Sequence, residues 1–277
     1  MNNNKLPIGV FDSGMGGLTV LKALKTVLPR ESFIYLGDTA RLPYGTKSPD
    51  TVKQYASQMA HILLERRIKA LVIACNTATT AALPHLQELL PDIPVIGVVK
   101  PGATAVVTAT KNQRITVLAT ETTIASNAYQ RLISDILPNA VISVRACSVL
   151  VALAEEGMVN NLVAREALRH YLSEFQDEDT LLLGCTHFPV FKPLLTSLLP
   201  ESVSIVDSAD ATARALQLVL EQGGLMSDSD SPSVKDLVTD SIRRFQHVGE
   251  IFLGEVLSSE QIELVDAMQV SATASFA

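Results

Sequence analysis

The sequence predicts an α/β protein of two similar α/β domains with mainly parallel sheets and an active site in the cleft between them. Short apolar runs of strand type alternate with amphipathic runs of helix type along almost the whole chain. Two strand-type runs end alike, in ACNTAT with Cys75 and in GCTHF with Cys185. Helix-connected parallel strands bring their carboxyl ends to one edge of a sheet, where α/β proteins bind ligands.

The first predicted domain follows a regular strand–helix order. Its predicted strands cover residues 7–12, 32–38, 69–75 and 94–99, and its predicted helices cover residues 18–29, 50–67 and 79–90. Asp50 is the expected N-cap of the second helix, because a carboxylate there can accept hydrogen bonds from the free N–H groups of the first turn.

The same order restarts after Lys100, Pro101 and Gly102. Predicted helices cover residues 101–109, 123–137, 160–175 and 209–222, and predicted strands cover residues 114–120, 140–147, 179–185 and 203–208. A Gly/Ser-rich loop at 223–233 leads to a strand near 235–240 and a helix near 242–253. We therefore place the first domain at residues 1–99 and 207–270, the second at 100–206, and a flexible tail at 271–277.

The 277-residue chain has the composition of a folded globular protein, with 47% hydrophobic and 18% charged residues. Its net charge of −7, without a Lys/Arg cluster, does not favour contact with nucleic acid or with an anionic membrane. The N-terminus lacks a signal-peptide pattern, and no apolar run reaches the roughly 18 residues of a membrane helix. We therefore expect a cytoplasmic protein, in which the three cysteines stay reduced. We expect no metal site, since C-x-x-C spacing is absent.

Small polar residues follow the predicted strands. Hydroxyls, amides and glycines predominate there, in FDSGMGG, GDTARLPYG, ACNTAT, ATETTIAS, GCTHF and VDSA. Together with the free N–H groups of helix N-termini, such groups suit a small carboxylate ligand. FDSGMGG fits neither G-x-G-x-x-G nor the P-loop spacing, so a nucleotide site is not indicated. Its glycines instead let the backbone approach a small ligand or a neighbouring strand.

The three cysteines differ in their surroundings. Cys147 is followed by an apolar segment, and we interpret it as a core residue. Cys75 and Cys185 each lie at a strand's carboxyl end and, as we interpret the sequence, before a helix N-terminus, a position that lowers a thiol pKa from about 8.5 towards neutrality. Two thiols from opposite domains can flank one carbon, where one removes a proton as thiolate and the other returns one as thiol. Such an arrangement inverts a stereocentre and needs no cofactor.

Four segments, in this order and spacing, resemble the glutamate racemases of the aspartate/glutamate racemase superfamily: GVFDSGMGGLTV, YLGDTARLPYG, ACNTAT and LGCTHFP. The resemblance extends from Gly9 to about Gly254. It implies cofactor-independent interconversion of L- and D-glutamate, supplying D-glutamate for bacterial peptidoglycan, by two α/β domains that commonly form a homodimer. In some members an N-terminal extension accompanies activation by a cell-wall precursor. Here the first strand begins near Pro7, so obligatory activation is not expected.

The resemblance implies roles position by position. Cys75 and Cys185 match two acid/base residues, of which the first accepts a proton from D-glutamate and the second from L-glutamate. Asp12 and His187 match residues that assist the thiols. The residues that hold the glutamate carboxylates and amine match Ser13, Tyr44, Gly45, Asn76, Thr77 and Thr186.

Two further acidic residues are implied near the site. Asp38 matches a motif position close to it. Glu155 matches an acidic residue that is linked to the site in some members. The surrounding ACSVLVALAEEG departs from the commoner pattern, which has proline after Cys147.

The residues leave other functions open. An aspartate racemase, or a racemase of another acidic amino acid, uses the same chemistry on a different side chain. A cysteine hydrolase or amidase would pair Cys185 as nucleophile with His187 as base. A protein that binds small anions or regulates through nucleic acid is a third class, and the acidic net charge argues against nucleic acid contact.

Overall fold

The computed structural model describes residues 3–267 and confirms the predicted fold class. Residues 268–270 of the predicted first domain and the predicted tail at 271–277 lie outside the described residues. Within residues 3–267, ten strands form two sheets in which all strand pairs are parallel. No helix in this range is both long and apolar enough to cross a lipid bilayer.

The strands fall into a six-stranded and a four-stranded sheet. In chain order they are β1 (Ile8–Asp12), β2 (Phe33–Gly37), β3 (Ala70–Ile73), β4 (Val95–Gly97), β5 (Arg114–Ala119), β6 (Val141–Ala146), β7 (Thr180–Gly184), β8 (Ser204–Asp207), β9 (Val234–Val238) and β10 (Ile262–Leu264). The strand orders are β10-β9-β2-β1-β3-β4 and β6-β5-β7-β8. Strands β1, β2, β3 and β7 are buried along their whole length, as expected for parallel strands covered on both faces.

Helices connect and cover the strands. They are α1 (Leu18–Val27), α2 (Pro49–Glu65), α3 (Asn76–Leu89), α4 (Val99–Ala109), α5 (Glu121–Ala125), α6 (Ala128–Ile136), α7 (Ser148–Glu155), α8 (Leu162–Tyr171), α9 (Lys192–Leu198), α10 (Ala209–Gln222) and α11 (Ile242–Leu253). After α10 the chain returns to the six-stranded sheet, where β9 pairs with β2. The predicted division into a first domain at 1–99 and 207–270 and a second at 100–206 remains a prediction.

The carboxyl ends of the central strands of the two sheets face each other. Asp12 at the end of β1 contacts Thr186 after β7, with 3.2 Å between the carboxylate and hydroxyl oxygens. Thr77 after β3 contacts Thr120 after β5, with 2.9 Å between the two hydroxyls. The cleft between the sheets therefore gathers the polar residues that follow β1, β3, β5 and β7.

Two local predictions are wrong. Asp50 is not the N-cap of α2. Ser48 is, because its hydroxyl accepts from the N–H of Thr51 at 3.3 Å and Pro49 takes the first helical position. Residues 123–137 do not form one helix, since Asn127 adopts a left-handed conformation (φ 55°) that separates α5 from α6.

Three short elements, α7, α9 and β10, have no counterpart among the predicted residue ranges. The α7 segment is apolar on most sides, so its helical period is weak. The α9 segment begins shortly after Pro189 and carries Pro193 in its first turn, where proline is tolerated because its N–H would have no helical partner. The three-residue strand β10 depends on tertiary contacts, because Glu263 pairs with Arg66 and Lys235 across the sheet edge.

Candidate active site

The loop after β1 carries a buried carboxylate and several glycines into the cleft. Asp12 accepts a hydrogen bond from the Gly14 N–H on Oδ2 at 3.0 Å, and Tyr35 donates to the Gly14 carbonyl at 2.9 Å. A Cβ atom at position 16 would come within 2.4 Å of His187 Nδ1. Gly16 is therefore required for the loop to lie directly against the Thr186 and His187 side chains that follow β7, whereas the sequence predicted a ligand or a neighbouring strand there.

Cys75 is the N-cap of α3 and is 5% exposed. Its sulfur accepts from the N–H of Ala78 at 3.4 Å and lies 3.7 Å from the hydroxyl of Ser13. Burial, followed by the nearby charge of Asp12, raises the pKa of Cys75 to about 12 and outweighs both polar contacts. The expectation of a lowered pKa is thus wrong for Cys75, because desolvation and a carboxylate neighbour dominate over the helix end.

Cys185 follows β7, and a buried histidine lies beside it. His187 Nδ1 is 3.9 Å from the Cys185 sulfur, and His187 Nε2 is 2.6 Å from Glu155 Oε1. The aromatic ring of Phe252 on α11 packs edge-on against the imidazole, with ring centroids 5.2 Å apart. The residues after Cys185 form a short 3-10 turn, Phe188–Phe191, before α9 begins.

The charge on His187 is set by opposing effects. Burial lowers the pKa of His187, but hydrogen bonds and attraction from Cys185 and Glu155 outweigh it and raise the pKa well above its ordinary value. The surroundings of the imidazole therefore favour its protonated form. Burial also raises the pKa of Asp12, against the opposing attraction of the His187 cation.

Asp12 and Thr186 connect the two cysteine loops. Thr186 donates to Asp12 Oδ1 at 3.2 Å and lies 3.5 Å from His187 Nδ1. Ser13, the neighbour of Asp12 in the chain, contacts Cys75. The structure thus brings six of the predicted residues into one buried polar network: Asp12, Ser13, Cys75, Cys185, Thr186 and His187.

Three threonine hydroxyls form a buried triangle across the cleft. Thr77 from the six-stranded side lies 2.9 Å from Thr120 and 3.2 Å from Thr123, which are 3.0 Å apart. Thr120 and Thr123 were not among the predicted site residues. The sequence indicated them only as part of the polar strand end ATETTIAS. That pattern does not show which of its hydroxyls meet the other sheet, so the two residues were not singled out.

Asn76 is the first residue of α3, and the oxygen of its side-chain amide accepts a hydrogen bond. Its Oδ1 accepts from the hydroxyl of Tyr129 at 2.6 Å. Its Nδ2 is buried and has no hydrogen-bond partner within residues 3–267. Tyr129 was missed because it lies inside a helix, where an aromatic residue is ordinarily a core residue.

Tyr44 and Gly45 lie in a turn that contacts helix α5, which follows β5 of the four-stranded sheet. The Tyr44 hydroxyl donates to Asp38, which also accepts from Arg41 at 2.7 Å and from Thr239 at 2.9 Å. Asp38 therefore anchors this turn, and the Tyr44 hydroxyl is already engaged. The Gly45 carbonyl accepts from Thr122 on α5 at 2.9 Å.

Residues 8–216 match the sequence profile of the family described as Asp/Glu/hydantoin racemase. The chain belongs to this racemase family. A glutamate racemase from Geobacter metallireducens is 47% identical to it over 250 residues, which cover 89% of this chain and 92% of the relative.

Solved structures agree with membership of the Asp/Glu/hydantoin racemase family. A glutamate racemase isoform from Bacillus anthracis superposes with a TM-score of 0.90 at 37% identity, covering 95% of this chain and 98% of that one. A glutamate racemase from Francisella tularensis, solved in complex with D-glutamate, superposes with a TM-score of 0.89 at 37% identity. That alignment covers 96% of this chain and 100% of the other.

In this racemase family member, Glu155 lies at the site and Cys147 lies in the core. Glu155, which the resemblance linked to the site, is buried against His187. Cys147 is fully buried and donates to the Arg145 carbonyl at 3.4 Å, which confirms the prediction of a core cysteine. Along residues 3–267, no three His, Cys, Asp or Glu side chains are grouped so as to hold a metal ion.

Proposed function

We propose that this protein interconverts L- and D-glutamate by proton transfer between two bases, Cys185 and Cys75. The observation that carries the proposal is the pair of buried cysteines from opposite sheets, linked through Asp12 and Thr186. Cys185 takes the α-proton of L-glutamate, and Cys75 delivers a proton to the opposite face of the α-carbon. In the reverse direction the two residues exchange roles.

The protonation states support this division of roles. Because its pKa is raised to about 12, Cys75 is a thiol at neutral pH and can act as an acid. The His187 cation, with its pKa raised, lies 3.9 Å from the Cys185 sulfur and supplies the counter-charge for a thiolate. A cation beside Cys185 and a protonated thiol at Cys75 suit the removal of a proton from L-glutamate by the first and its return by the second.

The site also has the means to stabilise the carbanion that forms. An amino-acid α-proton is very weakly acidic, so the developing charge needs fixed donors in a site closed to water. Both cysteines are less than 8% exposed, with values of 5% and 7%. Asn76, Thr77, Thr186 and Ser13 are buried beside them, and we assign these side chains to the substrate carboxylates and amine.

We further propose the cellular role that the resemblance implies. The D-glutamate formed supplies peptidoglycan synthesis in the cytoplasm, and the protein acts as a homodimer without a cofactor. The glutamate racemases that align over almost the whole chain support this role.

The decisive experiment follows the α-proton. Purified protein given L-glutamate in deuterated water should form D-glutamate that carries solvent deuterium at the α-carbon. Cys75→Ser and Cys185→Ser should each lower racemisation by about 100-fold or more, since each removes one acid/base group. The matched control is Cys147→Ala, which removes a thiol that lies in the core and should leave racemisation intact.

Three results would contradict the proposal. Near-normal racemisation by either serine variant would exclude a two-cysteine mechanism. A higher kcat/KM for aspartate than for glutamate would assign the protein to another substrate. A covalent acyl-enzyme at Cys185, detected by mass spectrometry in place of isotope exchange, would indicate a hydrolase.

A further inference from the structure

The Asn76 amide is satisfied on one side and open on the other. Its oxygen accepts from Tyr129, whereas its nitrogen has no partner within residues 3–267, although the residue is only 3% exposed. Each of the two buried N–H groups that lacks an acceptor destabilises the folded protein by about as much as a lost hydrogen bond. A ligand with acceptor oxygens in the cleft would remove that cost.

The partner hydroxyl decides which end of the amide faces the cleft. A hydroxyl and an amide can pair in two ways, with the hydroxyl as donor to oxygen or as acceptor from nitrogen. Among the described residues the Tyr129 hydroxyl makes no second hydrogen bond, so its proton needs the Asn76 oxygen as acceptor. Burial, and then the charges of Cys185 and Asp207, raise the pKa of Tyr129 far above its ordinary value, so the hydroxyl keeps its proton.

The Tyr129 ring is itself held in a narrow slot. A Cβ atom at Gly184 on β7 would come within 2.9 Å of its Cε2 atom. A Cβ atom at Gly102 on α4 would come within 3.0 Å of its hydroxyl oxygen. The residue is 1% exposed. The hydroxyl therefore has a fixed position, set by a helix and a strand that lie close on either side.

We propose that Tyr129 is a positioning residue that holds the Asn76 side chain with its amide nitrogen turned towards the cleft, where its two N–H groups bind a substrate carboxylate. The inference rests on the proposed function, because it takes the ligand to be an acidic amino acid. The hydrogen bond also spans the cleft, since Asn76 follows β3 and Tyr129 lies on α6 after β5. A residue on the side of the four-stranded sheet thus decides which end of the Asn76 amide faces the substrate.

The test is Tyr129→Phe, which keeps the ring in its slot and removes the hydroxyl. The KM for both enantiomers of glutamate should rise about fivefold to thirtyfold, the effect of losing one buried hydrogen bond, while kcat changes less. In an Asn76→Ala background, the same substitution should change KM by less than about twofold. The matched control is Tyr171→Phe on α8, which should leave KM unchanged.

The outcomes separate this inference from the proposed function. Wild-type protein that neither binds nor racemises glutamate would overturn both, before any variant is compared. An active wild type with additive effects of Tyr129→Phe and Asn76→Ala would overturn the inference alone. A crystal structure with D-glutamate decides the case if Tyr129→Phe fails to fold. Asn76 Nδ2 within hydrogen-bond distance of a carboxylate oxygen supports the inference, and an amide remote from both carboxylates overturns it.

Discussion

Asp236 is a buried carboxylate with an unusual environment outside the candidate site. It lies on β9 beside Tyr35 of β2, is 2% exposed, and its Oδ1 has no hydrogen-bond partner within residues 3–267. Burial raises the pKa of Asp236 from 3.8 to about 6, and the Lys25 ammonium offsets part of that increase. At neutral pH the native protein therefore holds an ionised group in a poorly solvating position, which destabilises the fold.

Asp236→Asn should stabilise the protein above pH 6 by up to about 3 kcal/mol, the free-energy equivalent of the raised pKa. A carboxyl whose folded pKa is raised binds its proton more tightly in the native state. Wild-type stability therefore increases as the pH falls from about 6 to about 4, and the advantage of the variant fades over the same range. Urea unfolding at several pH values measures this, with the exposed Asp92→Asn as control. An advantage that does not change with pH would contradict the assignment.

Helix α11 contacts the candidate catalytic histidine through Phe252 and the end of α7 through Arg244. Phe252 packs edge-on against the His187 ring, and Arg244 donates to the Glu155 carbonyl at 3.2 Å and to Glu156 at 3.0 Å. Arg244 thereby holds the C-terminal end of α7, from which the Glu155 carboxylate reaches His187. Helix α11 therefore supports the part of the site around Cys185 and His187 from outside the cleft.

Arg244→Met should lower kcat about fivefold, because about 1 kcal/mol of support for Glu155 is lost. Glu155 contributes to the raised pKa of His187, so a displaced Glu155 lowers that pKa towards its ordinary value. The alkaline limb of the kcat–pH profile should therefore move to lower pH. Arg243→Met, the neighbouring exposed arginine of the same helix, is the matched control. A reduced kcat with an unshifted pH profile would mean that α11 acts only on stability.

One buried ion pair joins four segments of the molecule. Lys69 Nζ lies 2.5 Å from Glu31 Oε2, with both side chains at most 1% exposed. Lys69 also donates to the carbonyls of Asn4 and Leu225, and Glu31 accepts from the N–H of Ser227. The pair therefore ties the described N-terminal residues, the start of β3, the connection before β2 and the loop from α10 to β9. Burial lowers the pKa of Lys69, and the hydrogen bond and charge of Glu31 oppose that decrease.

Lys69→Met should destabilise the protein by about 3–5 kcal/mol, because it leaves the Glu31 carboxylate buried without its cation. Adding Glu31→Gln should restore part of the loss, since the uncompensated charge is then gone. Arg30→Gln provides the control in an exposed pair, with side chains 55% and 92% exposed, and should change stability by less than about 0.5 kcal/mol. Chemical denaturation measures all three variants. Equal effects of Lys69→Met and Arg30→Gln would contradict a structural role for the buried pair.

The elements that were predicted and those that were not differ in what stabilises them. Long amphipathic helices such as α10 were placed correctly because the apolar period of one helix is written in consecutive residues. The strand β10 was missed because it depends on partners distant in the chain. The break at Asn127 was missed although its contacts are local, because a continuous helical pattern does not show that one residue adopts a left-handed conformation. The capping error at α2 has a local cause, since Ser48 and Asp50 are both good N-caps and Pro49 decides between them.

The sequence by itself determined the alternating strands and helices, the polar residues at the strand ends and the motifs shared with the racemase family. These features are local, because they depend on periodicity and on residue type at fixed spacing. The tertiary structure decided which polar atoms meet across the cleft, as with Tyr129 and Asn76 or Glu155 and His187. It also decided the raised pKa of Cys75, because the degree of desolvation depends on packing from the whole molecule rather than on the neighbours in the chain.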